Sequence, residues 1–192
     1  TSLFEESTIA RFSSLYRRIL ETFVADSNGL LGELPVVSKE EKQLQLIDWN
    51  QTDSVYPSEN TLQELFEKHA VISTDKVAVV SGDEQLTYGD LNARSNQLAR
   101  TIRMNYVNHY GKELSPDTLI ALYLDRGVDA IVSMLAVLKA GGAYVPISPD
   151  YPVDRVQFIL EDTKASVLIS DRAVTELLRG LTNHPVVLTL PT

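Results

Sequence analysis

A chain of 192 residues, 44% hydrophobic and 22% charged, holds enough apolar material for one sizeable core, and its 26 acidic against 17 basic residues give a net charge of -9 that repels a nucleic-acid backbone. The absence of Cys excludes a disulfide framework and any thiolate metal or nucleophile site, which suits a cytoplasmic protein. The longest apolar stretch, Ala130 to Leu138, is interrupted by Ser133 and too short for a bilayer, and TSLFEESTIARF lacks the basic-then-apolar order of a secretory signal, so neither a membrane nor a nucleic-acid partner is expected.

Ile9, Phe12, Tyr16, Ile19, Leu20 and Phe23 recur at helical spacing with Arg11, Arg17, Arg18 and Glu21 between them, and Asn28-Gly29 ends this amphipathic helix. After Pro35, Ser38 stands three residues before Glu41, the spacing of a capping box, so a short helix through Leu44 and Ile47 should follow. Asn50 to Asn60, rich in Thr, Asp, Ser and Pro, reads as a linker. Everything before it looks like a tether or docking segment, which divides the chain into 1–59 and 60–192.

Beyond the linker, Thr61 and Glu64 form a second capping box ahead of a helix whose Leu62, Leu65, Phe66 and Ala70 share an apolar face. A strand over Val77–Val80 turns at Gly82-Asp83 into Gln85–Tyr88. Leu91, Leu98 and Ile102 mark another helix, whose pattern dissolves in the polar stretch Asn105–Asp117, a loop long enough to be mobile. Strands at Leu119–Leu124, Tyr144–Ile147, Val167–Ser170 and Val186–Leu190 then alternate with helices at Asp129–Lys139, Pro152–Asp162 and near Asp171–Arg179. Short apolar strands separated by such helices predict βαβ crossovers and a parallel sheet, hence an α/β fold. Strands apolar on both faces call for helices on two sides, and the chain is expected to have too few helices to cover both. Pro152 suits a first helical turn.

Chemistry is sparse. Lys139-Ala140-Gly141-Gly142 has neither phosphate-loop nor dinucleotide spacing, and Gly141 reads as a helix terminator at positive φ, where a β-branched residue is poorly tolerated. His69, His109 and His184 lie far apart with no second ligand at metal spacing, so they read as solvated or core histidines. Asp125-Arg126-Gly127 reads as a turn and helix start, and Glu161-Asp162 as a solvated helix end, because helix neighbours do not face each other. No serine sits in a nucleophile elbow.

Two segments resemble signature motifs of the adenylate-forming superfamily, and more narrowly of nonribosomal peptide synthetase adenylation domains: LTYGDL, Leu86–Leu91, and LKAGGAYVPIS, Leu138–Ser148. The second continues into PDYPVDRVQFILEDTKASVLISD, where Pro149, Tyr151, Pro152, Arg155, Leu160 and Asp162 also match the family's pattern. Upstream, LPVVSKEEKQLQLIDWNQT and YPSENTLQELFEKHA resemble the connector between a condensation and an adenylation domain, and Phe4–Leu20 resembles the last condensation-domain helix. Two positions depart from the pattern, with Asp90 where Glu is usual and Ser148 where Asp is usual.

The resemblance implies the start of a large N-terminal subdomain, a layered αβα parallel sheet left incomplete because the chain is truncated or cut after Thr192. It implies ATP and Mg2+ for the complete domain, and phosphopantetheine on a downstream carrier. The implied partners are the rest of the adenylation domain, condensation and carrier domains, and an amino-acid substrate. The family's phosphate loop, adenine and ribose contacts and catalytic Lys have no matching position here. No catalytic, cofactor-binding or metal residue is therefore assigned, and the chain alone is expected to be inactive scaffold. Rival readings are an acyl-CoA synthetase-like fragment, disfavoured by Trp49-Asn50-Gln51-Thr52, and a noncatalytic docking module.

Overall fold

The computed structural model describes residues 3–30, 32, 34 and 37–190; Pro35 and Thr192 lie outside them. The chain forms two compact units, Thr1–Tyr56 and Pro57–Thr192. In the first, α1 (Glu6–Ala25) precedes α2 (Lys39–Leu46) and a 3-10 turn at Asp48–Asn50. The Ser38 box is formed in full: Glu41 N donates to Ser38 Oγ and Ser38 N to Glu41 Oε2, both at 3.0 Å. α1 buries no residue, and Phe12, Tyr16 and Phe23 of its apolar stripe stay exposed.

The second unit opens with α3 (Leu62–Ile72), capped by the Thr61–Glu64 box. Of its expected apolar face, Ala70 is buried whereas Leu62 is 71% exposed. β1 (Val77–Ser81) and β2 (Glu84–Thr87) pair antiparallel, with Gly82 at φ 59 as the first of two turn residues, where only glycine is free of strain. Tyr88, expected as a strand end, begins α4 (Tyr88–Tyr110). The helix does not dissolve at Asn105. It runs on to Tyr110 and stops at Gly111, whose φ of 66 gives a left-handed cap. Tyr106 is buried in the core, so the polar residues beyond Asn105 belong to the outer face of a helix.

β3 (Thr118–Tyr123), α5 (Val128–Ala140), β4 (Gly142–Ile147), α6 (Val153–Thr163), β5 (Val167–Ser170), the four-residue α7 (Thr175–Leu178) and β6 (Val186–Thr189) follow. The last four strands form one sheet in the order β4-β3-β5-β6, every pair parallel, as the alternation requires. Pro152 sits at the N-cap of α6, one residue before the helical turn expected for it.

The central strands β3 and β5 are covered on both faces. Ile120, Leu122 and Ile169 pack under α4 and α5, while Ala121, Leu168 and Tyr123 pack against Val156, Leu160 and Leu177 of α6 and α7. The fragment therefore has helices enough for its central strands, against expectation. The bare surface lies on β4, where Tyr144 and Pro146 are exposed. α4 and α5 cross through small side chains, with Ser95 and Ala99 on one and Ser133, Ala136 and Ala140 on the other, all at most 5% exposed. Small residues let the two backbones approach closely.

Candidate functional site

An open parallel sheet binds ligands outside the carboxyl ends of its strands, where the chain order reverses. Here that point lies between β3, followed by Asp125-Arg126, and β5, followed by Asp171-Arg172. The structure joins these two loops with an ion-pair network. Arg172 Nε donates to Asp171 Oδ1 at 2.7 Å, and its Nη2 donates to Asp125. The guanidinium also stands over the Tyr123 ring, 5.7 Å from its centroid. Ser170 Oγ accepts from Arg172 N at 3.1 Å and fixes the turn.

Arg172 holds the Asp171 carboxyl below its usual range, and the two aspartates raise the guanidinium's affinity for its proton. Both charges are locked, so this cluster braces two loops rather than moving a proton. Asp125, expected in a turn, thus gains a partner 47 residues away that no local pattern signals.

Beside the brace, a cleft of about 700 Å³ opens at the ends of β3 and β4, walled by Leu122, Leu124, Ala130, Met134, Pro146 and the 148–151 turn. Ser148 Oγ accepts from Asp150 N at 3.3 Å, and Tyr151 N donates to Ser148 O at 3.1 Å. Serine here builds by its hydroxyl the same local turn an aspartate builds by its carboxylate.

The other residues singled out in the sequence are dispersed. His69 stacks edge-on to Tyr88 and His109 to Tyr110. No group of three or more His, Cys, Asp or Glu at metal-holding distance occurs among the described residues. Glu161 is not a merely solvated helix end: its carboxylate accepts from Thr182 N at 2.6 Å and from Thr182 Oγ1 at 2.7 Å, tying α6 to the segment before β6. Among the described residues no helix is long and apolar enough to cross a membrane.

The two signature segments serve as structural joints. In LTYGDL, Thr87 caps α4 by accepting from Asp90 N at 3.1 Å, Tyr88 lies against Phe66 and His69, and Gly89 N donates to Thr74 O at 2.9 Å. A Cβ on Gly89 would come within 2.7 Å of Thr74 Cγ2 and 3.2 Å of Thr74 O, so the first turn of α4 lies this close to the turn after α3 because residue 89 is glycine. Asp90 bonds the Thr87 hydroxyl at 2.7 Å rather than its backbone N–H, leaving a half-formed box. Asp90→Glu, which supplies the missing reach, is expected to stabilise the chain by about 0.5 kcal/mol, read as a raised urea midpoint.

In LKAGGAYVPIS, Lys139 clasps three helices: its Nζ donates to Asn92 Oδ1 at 2.5 Å and Asn96 Oδ1 at 2.8 Å and pairs with Glu67 at 3.3 Å. Gly141 takes the expected left-handed cap at φ 92. Arg103 of α4 grips the same helix end, its Nε bonding Ala140 O at 3.0 Å and its Nη2 bonding Lys139 O.

The family described as AMP-binding enzyme matches residues 66–190, which takes in both joints and the whole parallel sheet. The chain belongs to that family. Among its curated relatives, gramicidin S synthase 2 of Brevibacillus brevis is 39% identical over 92% of the chain. The N-(5-amino-5-carboxypentanoyl)-L-cysteinyl-D-valine synthase of Penicillium rubens is 41% identical over the same share. The chain spans only 4% of the length of each of these.

Among solved structures, the nonribosomal peptide synthetase FmoA3 in its AMPPNP-bound form superposes with a TM-score of 0.67 at 24% identity, covering 97% of this chain and 19% of that one. The N-terminal subdomain of Klebsiella oxytoca NpsA gives a TM-score of 0.54 at 24% identity, covering 67% of this chain and 30% of that one. These likenesses show that the chain shares the α/β fold of part of those longer chains.

Proposed function

We propose that the chain is the N-terminal scaffold of an ATP-dependent, amino-acid-activating adenylation domain in a nonribosomal peptide synthetase. One observation carries the reading: the likeness to peptide synthetases spans 92% of the chain, so it reaches into the segment before the AMP-binding match as well as the match itself. An acyl-CoA synthetase-like fragment would share the second part without the first. Residues 1–59 then read as the condensation-domain helix and connector, and 60–192 as the start of the adenylation domain. The exposed stripe of α1 suits a helix that packs on a condensation domain.

In the reaction, an amino-acid carboxylate oxygen attacks the α-phosphorus of ATP. The bond to the β-phosphate breaks and pyrophosphate leaves; a phosphopantetheine thiol, losing its proton, then attacks the acyl carbon of the aminoacyl-AMP, the acyl–phosphate bond breaks, and AMP leaves as the thioester forms. Stabilising that displacement takes a metal, a phosphate cradle and a cation. The described residues do not fit Mg2+, because no three His, Cys, Asp or Glu among them stand at metal-holding distance, and Asp125 and Asp171 at the strand ends are both engaged by Arg172. We assign those groups to the rest of the domain. What these residues supply is a rigid base: the Lys139 clasp and the Arg172 brace set the strand ends on which the catalytic loops would be mounted.

Amino-acid-dependent pyrophosphate exchange tests the reading. The chain alone is expected to be inactive, and joining it to the rest of an adenylation domain to give activity. Micromolar ATP binding by the isolated chain in calorimetry, or failure of the joined domain to exchange with any amino acid, would overturn it.

A further inference from the structure

One pair of residues in the first unit serves neither the fold nor the proposed reaction. Asn28-Gly29 is the only Asn-Gly pair in the sequence. It does not end α1: the helix stops at Asp26, whose backbone is extended and whose N–H donates to Thr22 O. Gly29 lacks the left-handed φ of Gly82, Gly111, Gly141 and Gly180, so no backbone requirement calls for glycine there. Residues 26–30 are all exposed. Among the described residues, the single hydrogen bond at the pair runs from Asn28 N to Asp26 Oδ1 at 3.0 Å; the Asn28 side-chain amide and the Gly29 N–H have no partner.

An unengaged side-chain carbonyl thus stands next to an unengaged backbone nitrogen. When hydroxide removes the Gly29 amide proton, the nitrogen can attack Asn28 Cγ, because no Cβ at residue 29 hinders the backbone from turning toward it. The Cγ–Nδ2 bond breaks, ammonia leaves, and the two residues share a cyclic imide. Water then opens the ring. Attack at the side-chain carbonyl gives aspartate, and attack at the main-chain carbonyl gives isoaspartate, in which the main chain runs through Cβ and Cγ. Water enters, ammonia departs, and nothing is oxidised or reduced. The other asparagines lack this combination. Asn92 and Asn96 lie within α4 and accept from Lys139, while Nδ2 of Asn105 donates to Thr101 O and that of Asn50 to Gln45 O. Asn60, Asn108 and Asn183 precede Thr61, His109 and His184, whose side chains restrict the backbone.

We propose that Asn28 is a site of spontaneous deamidation, at which the folded chain passes to aspartate and isoaspartate with water as the only co-reactant and no enzyme. The product adds a negative charge to a chain already at -9. It sets that charge beside Asp26, just past the C-terminal end of α1, where the helix dipole disfavours an anion. Isoaspartate also lengthens the path from α1 to α2 by one methylene of main chain. The chemistry stands apart from the adenylation reading and holds whichever acid, if any, the complete protein activates.

Peptide mapping by mass spectrometry, after incubation of the folded chain in neutral and mildly alkaline buffer, tests it. Isoaspartyl methyltransferase with a labelled methyl donor reports the isoaspartate. Asn28 is expected to gain the mass of an amide-to-carboxyl exchange before every other asparagine, faster as pH rises, with label appearing on the same peptide. Another asparagine reacting first, or a rate indifferent to pH, overturns the proposal. The folded rate should lie within about tenfold of the rate in urea, since the turn has no backbone bonds to open at Gly29. A greater slowing means that the turn keeps the nitrogen from Cγ, and the site is then not one of the folded chain. Gly29→Ala brings its Cβ to 3.2 Å from Asp26 Oδ2, an exposed carboxylate that can move aside, so the fold should persist by circular dichroism. That variant is expected to slow the reaction at Asn28 by about tenfold or more, in buffer and in urea alike. An undiminished rate in urea, where folding plays no part, sinks the mechanism. Asn28→Gln should reduce the methyl label to background, and label persisting in it would place the isoaspartate elsewhere.

Discussion

Replacing Lys139 with Met is expected to lower the unfolding free energy by about 2–3 kcal/mol, measured as a reduced urea midpoint with an unchanged slope. The lysine side chain is 5% exposed, its three N–H donors are matched by Asn92, Asn96 and Glu67, and its charge lies 5.3 Å from the centre of the Phe66 ring. Met keeps the stem's length and apolar contacts, so the loss isolates the donors. Two amide oxygens then face a thioether in a half-closed space, where unmet acceptors are costly. Glu67 limits the damage because its side chain is 45% exposed and can turn to water.

The clasp should also show a pH signature. Burial lowers the Lys139 pKa from 10.5, and its bond to Glu67 opposes that only in part. Between the lowered value and that of the unfolded chain, the unfolded state binds more protons, so this group makes stability rise with pH. The contribution is absent from the Met variant, and the gap between the two proteins should widen as pH climbs toward 10.5.

Why some of this was legible in the sequence follows from range. The boxes at Ser38–Glu41 and Thr61–Glu64, the Gly82 turn and the Gly141 cap are set by residues at most three apart, and spacing alone reveals them. The parallel sheet was legible because β3 and β5 are apolar on both faces and lie between helical patterns. The second half of α4 was not. Ile102, Tyr106 and Tyr110 keep the i, i+4 spacing, with ring centroids of the tyrosines 4.7 Å apart, but the half-buried Asn105 and the exposed Asn108 and His109 resemble a loop. The stop signal is Gly111, which caps the helix in the left-handed conformation.

The brace at the strand ends and the Lys139 cage were beyond local reading altogether. Asp125 meets Arg172 across 47 positions and Lys139 meets Asn92 across 47, distances closed only by the fold. Motif resemblance located the important residues without their physics: LKAGGAYVPIS flags Lys139 and Gly142 alike, yet one is a polar clasp and the other a point of contact between backbones.

That contact gives the second large expected effect. Gly142→Ala should cost about 2–3 kcal/mol and Gly141→Ala about 1 kcal/mol, although the two glycines are adjacent and belong to one motif. Gly141 has φ 92 with nothing within 4 Å of the place a Cβ would take, so alanine there suffers only backbone strain. Gly142 has no such strain. Its added Cβ would lie 2.9 Å from Thr118 O, 3.0 Å from Ile120 Cδ1 and 3.4 Å from Val137 Cγ1. Ile120 and Val137 are fully buried, and Thr118 O belongs to the backbone of the central strand, so none of the three can withdraw without disturbing the β3–β4 pairing or the seat of α5 on the sheet. Urea unfolding of both variants beside the parent decides the matter. If Gly141→Ala proves the costlier, the strain of the helix cap outweighs the close approach, and β4 has more freedom against β3 than this packing allows.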